Sequence, residues 1–201
     1  MRVELLFPSS VARGEHPEFL DASKTVLAEH LARVKPNTWN VCQSDSMFDA
    51  RLDGLLSMIA RESFQILSDQ GYDMTQSQTS VTEFWGQEFL RNGQHMEHIH
   101  SRGAQITGFY FVEVPENSAL PVVFDPRPGK RQISLAQSNQ SEVSYASEQI
   151  VFGVAPGDLL LFNSWLPHGF TRHESDVPFR FIHFNVTVEN HAACCPTVEV
   201  I

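Results

Sequence analysis

The chain has 201 residues, 42% hydrophobic and 19% charged, the proportions of a globular protein long enough to bury a sizeable core. A formal net charge of −10, with lysine only at Lys24, Lys35 and Lys130, repels phosphate backbones and argues against nucleic acid as a general partner. The three cysteines, Cys42, Cys194 and Cys195, contain no CxxC, and no apolar run suits a signal peptide or a membrane span, so the expectation is a soluble cytoplasmic protein without disulfides.

The N-terminal third reads as helical. In "PEFLDASKTVLAEHLARVKP", Phe19, Leu20, Leu27, Leu31 and Val34 fall near one face and Pro36 stops the helix. A second helix is expected in "SMFDARLDGLLSMIARESFQILSDQG", with Ser46 as its cap and Gly71 as its end. From about residue 80 the pattern changes to short β-rich runs: "VTEFW", "HMEHIH", "ITGFYFVEV", "LPVVF", "EQIVFGV", "DLLLF", "GFTRH" and "FRFIHFNVTV". Turn signals separate them, among them "PENS", "DPRPGK", "APGD" and "ESDVP". Strands without intervening helices imply a sandwich or barrel of jelly-roll type. The expected organisation is one domain over 1–201: a helical support (1–78), a β core (79–190) and a C-terminal tail (191–201). The polar stretch 130–149 is expected to be a long loop, of the kind that often serves as a lid.

Three segments carry candidate chemistry. In "HMEHIH", strand alternation places Met96, His98 and His100 on one face and His95, Glu97 and Ile99 on the other, so one strand can aim two imidazoles at one ion. A solvated surface pair is the simpler reading of that motif alone. "PGDLLLFNSWLPHGF" supplies a tight turn, an apolar strand and then His168, either a third ligand or a loop histidine without a task. In "FRFIHFNVTV", Arg180 heads a face shared with Ile182, Phe184, Val186 and Val188, while Phe181, His183, Asn185 and Thr187 form the other. An arginine on an apolar face either receives a ligand carboxylate or pairs at the strand end with a side chain such as Asp176.

"HIHSRGAQITGFYFV", followed by "DP", "PGDLLLFNSWLPHGF", an arginine and "FNV", resembles the 2-oxoglutarate/iron(II)-dependent oxygenase superfamily, and most of all a group of small bacterial and phage members. The resemblance spans residues 85–188. It implies a mainly β, double-stranded β-helix (cupin-like) fold with helices at its N-terminus. It also implies an iron(II) centre and 2-oxoglutarate as cosubstrate. Carried over residue by residue, His98 and His168 are the catalytic metal ligands and Arg180 anchors the far carboxylate of 2-oxoglutarate. Tyr110 assists it, and Asn185 is a further candidate. Most of the superfamily has HxD or HxE where this chain has His98-Ile99-His100, so His100 becomes the third ligand. The HxE formed by His95 and Glu97 is the alternative.

A three-histidine cupin dioxygenase independent of 2-oxoglutarate is the competing reading, and a non-catalytic metal-binding β-sandwich a third. His168 comes eleven residues after Gly157, a spacing that favours the oxygenase over the cupin. No GxSxG supports a hydrolase. The expected partners are a small-molecule or peptide substrate and a second copy in a homodimer, with neither nucleic acid nor membrane.

Overall fold

Alternating and β-branched residues after position 78 give the strands, and two helices precede them. The computed structural model describes residues 2, 6–100, 103–133 and 135–189; the expected tail 191–201, with Cys194 and Cys195, lies outside them. In chain order the elements are β1 (Val11–Glu15), α1 (Leu20–Leu31), β2 (Val41–Ser46), α2 (Asp53–Asp69), β3 (Gln78–Phe89), β4 (His95–His98) and β5 (Ala104–Glu113). They continue with β6 (Pro121–Phe124), β7 (Gln149–Val151), β8 (Asp158–Asn163), β9 (His168–Phe170) and β10 (Phe179–Glu189). All eight runs expected to be strands contain one. The N-terminal third differs from expectation by two edge strands, β1 and β2. Ser46 closes β2 instead of capping a helix, and Asp49 caps the short 3-10 turn that leads into α2 by accepting the Arg51 N–H at 2.9 Å.

The strands form two antiparallel sheets, one ordered β1-β8-β5-β10-β3-β2 and the other β4-β9-β6-β7. This is the mostly β, double-stranded β-helix arrangement anticipated. The larger sheet is buried on both faces, and the two faces have different chemistry. Its outer face packs on α1 and α2 through Tyr110, Val112, Leu159, Leu161, Ile182 and Phe184. Its inner face meets the smaller sheet through Phe109, Phe111, Leu160, Phe162, Phe179 and Phe181.

Two glycines set the distances between layers. A Cβ on Gly86 would stand 2.1 Å from Leu27 Cδ1 of α1, so the helix lies directly on β3. A Cβ on Gly108 would stand 2.1 Å from the Leu160 carbonyl oxygen and 2.7 Å from Phe184 Cζ, so β5 has no room for a side chain there. The "APGD" turn forms as expected. Asp158 N–H bonds to Ala155 O at 3.1 Å, and Gly157 takes φ +93°, a conformation suited to glycine. Among the described residues of 130–149, a short 3-10 turn forms at Lys130–Gln132 and β7 begins at Gln149.

Candidate metal centre

The two short strands β4 and β9 place the first two histidines. They pair antiparallel with His98 directly opposite His168, and the ring centroids are 4.5 Å apart. His100 follows β4 and is held there by its backbone N–H, which bonds to Ser164 O at 2.9 Å. Its ring lies parallel to His168, with centroids 5.2 Å apart and planes 7° apart. One ring nitrogen from each of His98, His100 and His168 lies within 4.8 Å of the others. His168 is buried and the other two are half-buried, so the cluster sits at the rim of the interior, open on one side.

Ring orientation follows from hydrogen bonds. Nδ1 of His98 lies 2.8 Å from Met96 O, and Nδ1 of His168 lies 2.8 Å from Leu166 O. A carbonyl only accepts, so both rings carry their proton on Nδ1 and keep a lone pair on Nε2. Metal-binding histidines are usually oriented in this way. Burial, reinforced by the neighbouring imidazoles, lowers the pKa of His100 to about 4 and that of His168 to about 3. Both are therefore neutral near pH 7, the state in which imidazole binds a metal.

Further polar groups surround the triad. His183, fully buried on β10, lies 4.8 Å from His100 and 4.2 Å from Trp85 between ring centroids. The Thr107 hydroxyl donates to Phe184 O at 3.0 Å, so its oxygen accepts from His183 Nε2–H at 3.2 Å and leaves His183 Nδ1 a bare acceptor. Among the described residues, the buried side-chain atoms without a hydrogen-bond partner are mostly on this inner face. They are Trp85 Nε1, Gln87 Oε1, His95 Nδ1, His100 Nε2, His168 Nε2, His183 Nδ1 and Asn185 Oδ1; the others are the hydroxyls of Ser23 and Ser63. Buried polar groups are nearly always paired, so this concentration marks a place built for something polar.

The expected site residues divide in two. His98, His100 and His168 come together. Arg180 and Tyr110 do not join them, because both lie on the outer, helix-facing side of the larger sheet. Arg180 bonds Glu88 at 2.6 Å and Glu113 at 2.9 Å, and Tyr110 donates its hydroxyl to His16 O at 2.7 Å. Alternation grouped the residues of β10 correctly, but both faces of that strand are buried, and the face with His183 and Asn185 is the one turned inward. The HxE pair of His95 and Glu97 does not come together either. Glu97 points outward into a two-pronged pair with Arg131, at 2.7 and 3.0 Å. His95 does face inward, against Phe89, because the pairing of β4 with β9 shifts register between His95 and His98. His95, Trp85 and His183 were not anticipated as site residues. The signal for His183 was present in its sharing a face with Asn185.

The donor set of three imidazoles, two of them oriented by backbone carbonyls, fits a transition metal such as iron(II). For a small oxygen-rich cosubstrate the inner face offers neutral partners, with Trp85 Nε1–H a donor in need of an acceptor. Among the described residues, Arg180, the expected cationic anchor, lies on the other face of the sheet. The charged neighbours acting on His100, His168 and His183 are other histidines and, for His100, Glu83. A recess of about 420 Å³ lies between Phe7–Val11 and β6–β7, with Val123 and Leu166 in its wall. Val123 is the strand partner of His168.

A double-stranded β-helix with clustered histidines at its rim defines a class of metal-dependent oxygenases, and the comparisons specify the family. Residues 83–185, half of the chain, match the sequence profile of the family described as "Putative 2OG-Fe(II) oxygenase", and the protein belongs to that family. Among curated proteins none matches the sequence. Solved structures share the fold at low identity. A prolyl-4-hydroxylase from Pseudomonas putida superposes with a TM-score of 0.60 at 10% identity, covering 89% of this chain and 92% of that one. HygX from Streptomyces hygroscopicus, with nickel and 2-oxoglutarate bound, gives 0.55 at 11% identity, covering 89% and 83%. A viral collagen prolyl hydroxylase from Paramecium bursaria Chlorella virus-1, as its 2-oxoglutarate complex, gives 0.54 at 7% identity, covering 88% and 94%. Iron(II) and 2-oxoglutarate are the cofactor and cosubstrate of this family, and the chain is a 2-oxoglutarate/iron(II)-dependent oxygenase.

Proposed function

We propose that His98, His100 and His168 together hold one iron(II) ion, and that the protein oxidises a small molecule or a peptide side chain in the cytoplasm. The observation that carries the reading is the set of unpartnered buried polar atoms converging on one end of the inner face. When bound, iron(II) with 2-oxoglutarate and dioxygen supplies the oxidising power of the family. The chain's own residues do the rest. Backbone carbonyls of Met96 and Leu166 fix two imidazoles with Nε2 toward the ion. The phenyl rings of Phe109 and Phe162, against His168, keep water from the buried side. Trp85 Nε1–H is a neutral donor for a cosubstrate oxygen. A net charge of −10 suits neither polyanions nor anionic membranes as partners.

Among the described residues, Arg180 pairs with Glu88 and Glu113 instead of facing the histidines, which favours one competing reading, a three-histidine dioxygenase that works without 2-oxoglutarate. An anaerobic titration separates the two. Iron(II) plus 2-oxoglutarate is expected to give a broad visible charge-transfer band that survives Arg180→Ala. Iron binding without any such band, joined to oxygen uptake with a small thiol, identifies the competitor. His98→Ala and His168→Ala are each expected to weaken iron(II) binding by more than about a hundredfold, since losing a ligand costs at least what losing its supporting hydrogen bond does. Unchanged binding by either variant rejects the site.

A further inference from the structure

The three rings differ in what holds Nδ1. His98 and His168 face backbone carbonyls, which can only accept. His100 Nδ1 instead lies 3.1 Å from Nδ2 of Asn185, a side-chain amide that can present either end. Asn185 is 2% exposed, and its partner across the β3–β10 pair is Glu83. The same Nδ2 also donates to Glu83 Oε2.

We propose that Asn185 selects the tautomer of His100, and that Glu83 holds the amide in the orientation that opposes metal binding. The inference rests on His100 being a ligand. An ionised carboxylate is acceptor-only, so the end of Asn185 facing Glu83 is its NH2. That nitrogen has two hydrogens, and the second points at His100 Nδ1. His100 therefore accepts at Nδ1 and carries its proton on Nε2, the atom turned toward the other two rings. His98 and His168 offer lone pairs there, whereas His100 offers an N–H. Asn185 Oδ1 is buried without a partner, as expected for an amide oriented by its charged neighbour at the expense of its own carbonyl.

Turning the amide over reverses the arrangement. Oδ1 then accepts from His100 Nδ1–H, and Nε2 is free to bind a metal. The turn brings Oδ1 against Glu83, and the repulsion is relieved only if that carboxylate moves off. Glu83 is at the exposed rim, so it can swing into water. Metal uptake thus costs one hydrogen bond and one amide rotation, a step that a carboxylate in the third position does not require.

Glu83→Gln is the decisive variant. Its amide nitrogen can donate to Asn185 Oδ1, which then also accepts from His100. The tautomers are read on metal-free, full-length protein at pH 7.5 by long-range 1H–15N correlation of the histidine rings. In wild type, His98 and His168 should be protonated at Nδ1 and His100 at Nε2. In Glu83→Gln, His100 should move to Nδ1. Cobalt(II), followed by its visible absorption, should bind Glu83→Gln roughly tenfold more tightly, the scale of one buried hydrogen bond. A wild-type His100 protonated at Nδ1 overturns the proposal. So does a folded Glu83→Gln protein that binds cobalt(II) no more tightly than wild type. If His100→Ala binds cobalt(II) as well as wild type, the three-histidine reading itself fails, while the tautomer measurement still reports on Asn185.

Discussion

Several histidines are buried uncharged at one end of the interior, and this makes stability depend on pH. Burial lowers the pKa of His95 and His100 to about 4 and that of His168 to about 3, and it drives His183 well below its ordinary value of 6.5. In the unfolded chain all four titrate near 6.5. As pH falls below that value, the unfolded state takes up protons that the folded state refuses. The contribution is intact above about pH 6.5 and is lost progressively toward pH 4. In chelator, the urea midpoint should therefore fall steadily from pH 7 to pH 4.5; a flat profile would mean that the rings are charged in the folded protein. Arg180 belongs to a different argument at the same scale. It neutralises two carboxylates, Glu88 and Glu113, on the helix side of the sheet. Arg180→Ala should cost about 1–3 kcal/mol in denaturant titrations, mostly by leaving Glu88 unpaired, and should leave cosubstrate binding untouched.

Among the elements, β5 tolerates least. With the Leu160 carbonyl and the Phe184 ring against Gly108, even one methyl has to displace the β8 backbone. Gly108→Ala is expected to destabilise by at least about 2–3 kcal/mol, or to prevent folding, as seen in thermal melts and soluble yield. The loop after β6 is tied differently, by Arg131 to Glu97 at the surface. Arg131→Ala should leave global stability within about 1 kcal/mol while speeding proteolysis between residues 133 and 148. The strands from β3 onward were legible because each combines alternation with a turn signal at its end. The sequence "VARGE" of β1 has neither, and it becomes a strand only because β8 offers an edge to pair with. The histidine trio was legible for a local reason: His98 and His100 are two apart on one chain segment. Arg180 was misplaced for a non-local one. β10 is buried on both faces, and only the packing of α1 and α2 decides which face is outside. His95 was misplaced because a register shift is invisible to simple alternation.

Across the whole molecule, the two layers of core divide labour. The helix-facing layer is largely aliphatic, whereas the layer between the sheets is built from phenylalanine rings in edge-on contact, as between Phe109 and Phe181 at 5.6 Å and 88°. Aromatic pairs of this kind have preferred geometry, which makes the inner layer a stiff support for imidazoles. The direct pairing of His98 with His168 across β4 and β9 carries a consequence beyond chemistry. These strands are only four and three residues long, so their zipper of backbone hydrogen bonds is short. An ion gripped by both rings would act as a rivet through the smaller sheet, and its binding energy would be shared with the integrity of that sheet. At a hundredfold excess over its Kd, a tightly bound metal adds about 2.7 kcal/mol to stability by mass action. Amide exchange should then slow at residues 95–98 and 168–170 more than in α1 or α2. If the three histidines hold the iron, a molecule starved of it would fray first at this rim, and supply of the metal would also govern how long each copy lasts.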